Sequence, residues 1–308
     1  MLRSILVLTI LAAACSPGEK SGDDDVVVAR IMPPIEDAAP KRGPGQIIAE
    51  SAPADWRALN PENLLVFELE RGHVTVALSE KLAQGHVAHV KALAREGFYD
   101  GLSFYRVIDG FVAQGGDVFE TREVKTAAAS IAAEFDQPLT VEMKFTPVAD
   151  PDGYAERVGF IDSEAVGVSG GNVWKLHCTG AMAMARNNDP DTGGTEFYIA
   201  LQPQRYLDRN LTVFGQVVEG MEHVHTLRRV APPQIESDDR GEPILSARIA
   251  ADMSVEERPA LEILRSDTPL FAEYVESRRN RPEEFFYHRP NYADICAIAI
   301  PVRHVAGE

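Results

Sequence analysis

Val74, Val76 and Leu78 alternate with less apolar neighbours, the period-two signature of a strand with one buried face. An earlier run, Leu64 to Glu70, precedes them across Arg71-Gly72. The spacing then changes: Ala83, Val87, Val90 and Ala94 recur at helical intervals, Ser79 is placed as an N-cap, and Gly97 ends the pattern. Further short strands are predicted over Ser103 to Ile108, Phe111 to Gln114, Ala181 to Ala185, Glu196 to Leu201, Leu211 to Val218 and Ile244 to Ile249, with a helix over Gly220 to Leu227. Many short strands with two helical segments imply a mainly β fold, an antiparallel barrel with capping helices rather than a parallel α/β sheet.

The flanks read differently. Residues 1–15 form an export signal, with Arg3 as its positive end and an apolar stretch, Ile5 to Ala14, too short to span a bilayer. Ala12-Ala13-Ala14-Cys15 resembles a bacterial lipobox, which makes Cys15 a candidate for lipidation; ordinary cleavage after Ala14 is the alternative. Residues 16–60, rich in Pro, Gly, Ala and charge, are expected to be a flexible tether. The folded domain is expected over 61–252, starting in earnest at Leu64, with an insertion at about 137–171 of mixed polarity and scattered glycines. A C-terminal extension, 253–308, follows, with one predicted helix over Pro269 to Arg279.

Charge narrows the partners. The 308 residues carry 47 acidic and 30 basic side chains, a formal net charge of −17, which repels phosphate backbones and argues against nucleic-acid binding. A membrane is expected as a partner only through a lipid on Cys15, and the localisation expected is the cell envelope, periplasmic or anchored facing the periplasm. If Cys15 carries lipid, Cys178 and Cys296 remain. An oxidising compartment would permit a disulfide between them, and two separate buried thiols fit the sequence equally well.

The candidate chemistry lies between Phe98 and Asp117. In strand phase Arg106 shares a face with Phe104 and Ile108, and an arginine on an apolar face is costly unless something specific engages it. The run Phe104-Tyr105-Arg106-Val107-Ile108, continued by Phe111 and Gln114-Gly115-Gly116-Asp117, resembles the core motif of cyclophilins. That motif usually has His at position 105 and Met at 112. A second block agrees: Thr179 to Asn187, Asp191 to Ile199, Tyr206-Leu207-Asp208 and Val213 to Val217. The resemblance covers roughly residues 63–249, broken by the insertion.

It implies a closed eight-stranded antiparallel barrel capped by two helices, and peptidyl-prolyl cis/trans isomerisation of proline-containing polypeptides during protein folding. Rotation about an X–Pro amide loses resonance worth about 18–20 kcal/mol and calls for no nucleophile, metal or cofactor. The enzyme must hold the proline in an apolar pocket and favour the twisted amide with a fixed, multiply donating cation. By resemblance Arg106 is the catalytic residue. Phe111, Val112, Tyr198 and Leu207 would line the pocket and Gln114 would bind substrate backbone, with Ala185, Arg186, Glu196, Tyr206 and Leu211 completing the binding surface.

Four of these depart from the usual residue. Glu196 replaces Gln, Arg186 replaces Asn, Tyr206 stands for Trp and Leu211 for His. The departures imply an altered substrate range and weak cyclosporin binding. Glu196 is expected to be able to pair with Arg106 and lower activity, and Tyr198 adds a hydroxyl to an apolar wall. The rival reading on the same fold is a protein that binds proline segments or scaffolds an envelope complex without useful catalysis.

Other patterns carry less. Gly167-Val168-Ser169-Gly170-Gly171 matches a hydrolase nucleophile elbow, but strand or loop follows where the elbow needs a helix. His86 and His89 share a helix face without an evident third ligand, so a solvated face is expected rather than zinc. His223 and His225 read as structural. Arg278, Arg279 and Arg281 read as a solvated helix end.

Overall fold

The computed structural model describes residues 42–231 and 239–305. Cys15, the export signal and the tether up to residue 41 lie outside them. The largest element is a nine-stranded antiparallel sheet. Its order is Glu242–Pro243, Ser103–Val107, Val112–Gly116, Phe197–Ala200, Ala181–Met184, Val213–Glu219, Gly72–Leu78, Leu64–Leu69 and Ser246–Ile249.

The two outermost strands are successive pieces of one segment. Ile244 bonds Gly101 and Leu102 through its backbone on one side, at 2.7 Å each, while Leu245 donates to the Glu68 carbonyl on the other at 2.9 Å. One stretch of chain therefore serves both edges of the sheet, which limits exposed edge. Splitting that stretch at 244–245 yields nine strands where eight were expected.

Alternation sorts the side chains. Met182, Met184, Phe197 and Ile199 enter the principal core with Phe67, Phe104 and Phe214, whereas Ala181, Ala183, Tyr198 and Ala200 point to the opposite face and form a separate apolar cluster. Phe67, Tyr99, Phe104 and Phe197 meet with centroids 5.1–6.4 Å apart, mostly edge to face. The helix Gln84–Arg95 buries Val87, Val90, Leu93 and Ala94 in this core, and the shorter helix Met221–His225 buries Val224.

Two expectations about the first helix fail together. Ser79 does not cap it. Glu134, far along the chain, accepts from the N–H groups of Gly85 and His86 at 2.9 and 2.8 Å and so satisfies donors that the first turn leaves open. His86 and His89 are buried, not solvated: His86 Nδ1 lies 2.6 Å from Glu134, and His89 Nε2 lies 2.7 Å from the Gly194 carbonyl. Both rings are tied into packing, and no group of residues suited to a metal ion occurs among the described residues.

The flanking segments are ordered. From Arg42 onward the expected tether contains a helix, Pro44–Ala49, and a strand, Trp56–Ala58. The expected irregular insertion is a five-stranded antiparallel sheet ordered Gln137–Pro138, Asn172–Lys175, Glu164–Ser169, Arg157–Ile161 and Thr146–Val148. Asp162 and Ser163, both at positive φ (49° and 68°), close its central hairpin in the way a two-residue turn requires. Ser169 ends a strand before a Gly170-Gly171 turn into the next, which is not an elbow leading to a helix.

The C-terminal extension supplies the helix Pro269–Asn280 and the strands Leu261–Leu264 and Val302–His304; Leu261–Leu264 pairs with Trp56–Ala58 on one side and Val302–His304 on the other in a three-stranded antiparallel sheet. N-terminal segment, insertion and extension share one core, with Ile47, Trp56, Phe160, Trp174, Leu264 and Phe271 at its centre. Arg279, expected to be solvated, is mostly buried and holds Asp150 of the insertion at 2.7 Å. Cys178 and Cys296 form a disulfide across this layer, which settles the question their sequence left open.

Candidate active site

Tyr105 and Arg106 lie side by side because of a bulge. Ser103 sits opposite Gly116 and Arg106 opposite Gln114, so one strand spends an extra residue. Phe104 and Val107, three apart, both enter the barrel core, while Tyr105 and Arg106 both reach the Gln114 side chain. The face shared by Arg106, Phe104 and Ile108 that simple alternation predicts does not exist.

Gln114 is fixed at both ends. Arg106 can only donate, so the Gln114 carbonyl oxygen takes its Nη1–H at 2.9 Å. The Gln114 amide then donates to the Tyr105 hydroxyl and, at 3.3 Å, to Glu196. The Tyr105 hydroxyl donates to the same Glu196 carboxylate. Glu196 is thus engaged by two neutral donors, and among the described residues it forms no ion pair with Arg106, contrary to expectation. Burial, and after it the Glu196 carboxylate, raise the Tyr105 phenol well above its ordinary range, so it stays a donor. The Arg106 guanidinium lies 5.3 Å from the centre of the Phe111 ring.

Two hollows open here. One, of about 940 Å³, is bordered by Tyr105, Arg106, Gln114, Arg122, Thr195 and Glu196. The other, of about 790 Å³, is bordered by Leu207, Asn210 and Leu211, and Arg186 and Asn187 border both. Arg186 is held by the carbonyls of Asn210, Asn187 and Asn188 at 2.7–3.1 Å and lies 5.5 Å from the Phe135 ring. The apolar cluster on the outer sheet face comprises Val112, Tyr198 and their alanine neighbours, with Phe111, Ala185, Leu207 and Leu211 packed against it. Ten of the eleven barrel positions picked from the sequence therefore gather at this cluster or its polar rim. Tyr206 sits beside Leu207 on the short helix Arg205–Leu207, 58% exposed, with its ring in solvent.

A sequence profile described as cyclophilin type peptidyl-prolyl cis-trans isomerase/CLD matches residues 64–251. The chain belongs to the cyclophilins. As such it is a peptidyl-prolyl cis/trans isomerase. It is 31% identical over 203 residues to a probable peptidyl-prolyl cis-trans isomerase of Brucella suis biovar 1 (strain 1330), covering 63% of this chain and 86% of the relative. It is 34% identical over 157 residues to peptidyl-prolyl cis-trans isomerase B of Bacillus subtilis (strain 168), covering 51% and 84%. The crystal structure of cyclophilin AquaCyp293 from Hirschia baltica superposes with a TM-score of 0.68 at 27% identity, over 86% of this chain and 98% of that one. That overlap exceeds the profile match, so it takes in much of what surrounds the cyclophilin barrel here.

Tyr105 stands in the sequence as a departure and Asp208 as part of a matching block, neither with a role assigned, and His177 stands there with none either. His177 is fully buried behind Tyr198, with Nε2 2.9 Å from the tyrosine hydroxyl and Nδ1 2.9 Å from Asp208. The hydroxyl expected as a polar blemish on the pocket wall is satisfied from behind. No spacing rule connects residues 177, 198 and 208; the signal available was that a tyrosine on an apolar face needs a partner.

Proposed function

We propose that this cyclophilin catalyses X–Pro rotation at Arg106, with the proline ring seated on the apolar cluster of Val112, Tyr198, Leu207 and Leu211. The observation that carries the reading is the guanidinium, fixed by Gln114 and by the Phe111 ring at the edge of that cluster, where it makes only one hydrogen bond to the protein among the described residues. Its other N–H groups are available to substrate. In the twisted amide the nitrogen lone pair leaves conjugation and the bond order between carbon and nitrogen falls. A cation with several donors, already oriented, favours that state over both planar isomers. Gln114, whose amide polarity is set by Arg106 and Glu196, is positioned to bond substrate backbone as well.

The substrates are proline-containing segments of polypeptides in the cell envelope, reached because residues 1–15 direct export and Cys15 carries a lipid. That part rests on the sequence pattern. Replacing Cys15 by serine is expected to abolish incorporation of labelled fatty acid into the protein; unchanged labelling would remove the anchor from the account. The activity itself is tested by NMR exchange on an Ala-Pro peptide. The parent is expected to accelerate exchange and Arg106→Ala to lose about 100-fold or more of that rate. A parent that binds the peptide without accelerating exchange would favour the scaffolding role.

A further inference from the structure

We propose that His177 is a positioning residue for the substrate pocket: it accepts the hydrogen bond of the Tyr198 hydroxyl from behind and so holds a tyrosine as an apolar pocket wall. The proposal rests on that pocket being the substrate site.

The hydrogen-bond directions follow from a chain of fixed charges. Asp152, in the insertion, accepts from Arg205 Nη1 and Nη2 at 2.8 and 2.9 Å, and Arg205 Nε donates to Asp208 at 2.6 Å. All three of these side chains are more than nine-tenths buried. Asp208, an acceptor only, takes both the backbone N–H of His177 and its ring Nδ1–H, each at 2.9 Å. With the ring proton on Nδ1, Nε2 presents a lone pair, so the Tyr198 hydroxyl must donate to it across 2.9 Å. Burial raises the Tyr198 phenol above its ordinary range, which keeps that proton in place. The two rings are near-parallel, 14° between planes.

The consequence reaches the substrate. Tyr198 shares its cluster with Ala183, Ala200 and Val213, none of which offers a side-chain hydrogen-bond partner. Without His177 the hydroxyl is left unsatisfied in an apolar setting, which is costly. It would recover that by swinging toward a peptide carbonyl in the pocket or toward water. Either movement displaces the wall against which the proline packs while leaving Arg106 and Gln114 untouched. The effect therefore falls on binding. The insertion acts on the same pocket through Asp152 and Arg205, a link that the barrel alone does not contain.

The test is a double-mutant cycle in the full chain, read as KM and kcat for an Ala-Pro peptide and as peptide Kd by NMR titration. His177→Leu is expected to raise KM and Kd about tenfold with kcat within threefold. In a Tyr198→Phe background, where no hydroxyl needs a partner, the same change is expected to alter Kd less than twofold. His177→Gln, which can donate to Asp208 and accept from Tyr198, is expected to recover most of the loss. Equal losses in both backgrounds would show that His177 only supports the fold, and would overturn the proposal. Should His177→Leu not fold, His177→Asn, which keeps a donor for Asp208 but is too short to reach Tyr198, takes its place in the cycle. A parent that binds peptide but does not isomerise it contradicts the catalytic reading, and the Kd cycle still decides the role of His177.

Discussion

Opening the bond between Cys178 and Cys296 should destabilise the protein by about 5 kcal/mol in the chain-entropy view of cross-links, because the bond closes a loop spanning 118 residues. The loop runs from just past the insertion through five strands of the nine-stranded sheet and most of the extension, so the unfolded chain regains a large volume when it opens. Cys178 belongs to the second core with Trp174, Leu176 and Ile295, and Cys296 packs against that core. Replacing both by alanine removes only small groups there, so loop closure dominates the change. The assay is urea unfolding of the parent, of the parent with a dithiol reductant, and of the Cys178→Ala/Cys296→Ala variant. With a slope of about 2–3 kcal/mol per molar for a chain of this size, the midpoint should fall by roughly 2 M. Reductant should reproduce the shift in the parent and do nothing to the variant. A midpoint that moves by less than about 0.3 M in both would refute the reasoning, since the layer around the barrel would then be holding itself in place without the bond.

Three further outcomes are expected. Glu196→Gln should leave kcat/KM within about threefold, since Glu196 accepts from Tyr105 and Gln114 rather than neutralising Arg106; a tenfold rise would restore the inhibitory pairing that the geometry denies. Asp152→Ala should destabilise by about 2 kcal/mol in denaturant unfolding, because it removes two charge-assisted hydrogen bonds from the buried Arg205 and leaves it the one to Asp208; a loss under about 0.5 kcal/mol would mean that the arginine finds water. Glu134→Gln tests the long-range helix cap by melting temperature against pH. Burial opposes the Glu134 charge, but the His86 ring and the N–H groups of Gly85 and His86 outweigh it and hold the carboxyl below its ordinary value of 4.5. A depressed folded-state value contributes stability above pH 4.5 that is lost as pH falls through it. Parent and variant should therefore differ at pH 7 and converge only as pH falls from 4.5 through the depressed folded-state value; a constant difference would show that the charge plays no part.

Much of the barrel was legible because its strands carry either alternation or the motif residues, and both survive in one dimension. The choice of Phe111, Val112, Gln114, Tyr198 and Leu207 followed from the resemblance, and the structure brings them together at one apolar cluster and its polar rim. The orientation of Arg106 was not legible, since strict alternation has no place for the bulge between Ser103 and Arg106. The insertion looked irregular because its strands are short and glycine-rich: Gly159 packs its Cα against the Thr146 carbonyl and the Phe145 ring, and Gly167 against Trp174, so close approach rather than loop character explains them. Helix capping by Glu134 and the chain from Asp152 to Tyr198 depend on contacts between residues tens of positions apart, which no local pattern encodes. The burial of His86 and His89 was misjudged for the same reason, their partners being Glu134 and the Gly194 carbonyl.

The central claim is that a fixed guanidinium at position 106 drives the rotation, and Arg106→Lys tests it most directly. Lysine keeps the charge but not the planar fork that bonds Gln114 while presenting further donors. Measured by NMR exchange on an Ala-Pro peptide, with Kd determined on the same samples, the variant should bind within about threefold of the parent and accelerate exchange at least tenfold less. Exchange catalysis that survives intact in Arg106→Lys, or that falls only in step with Kd, would contradict the account and place the chemistry elsewhere in the pocket.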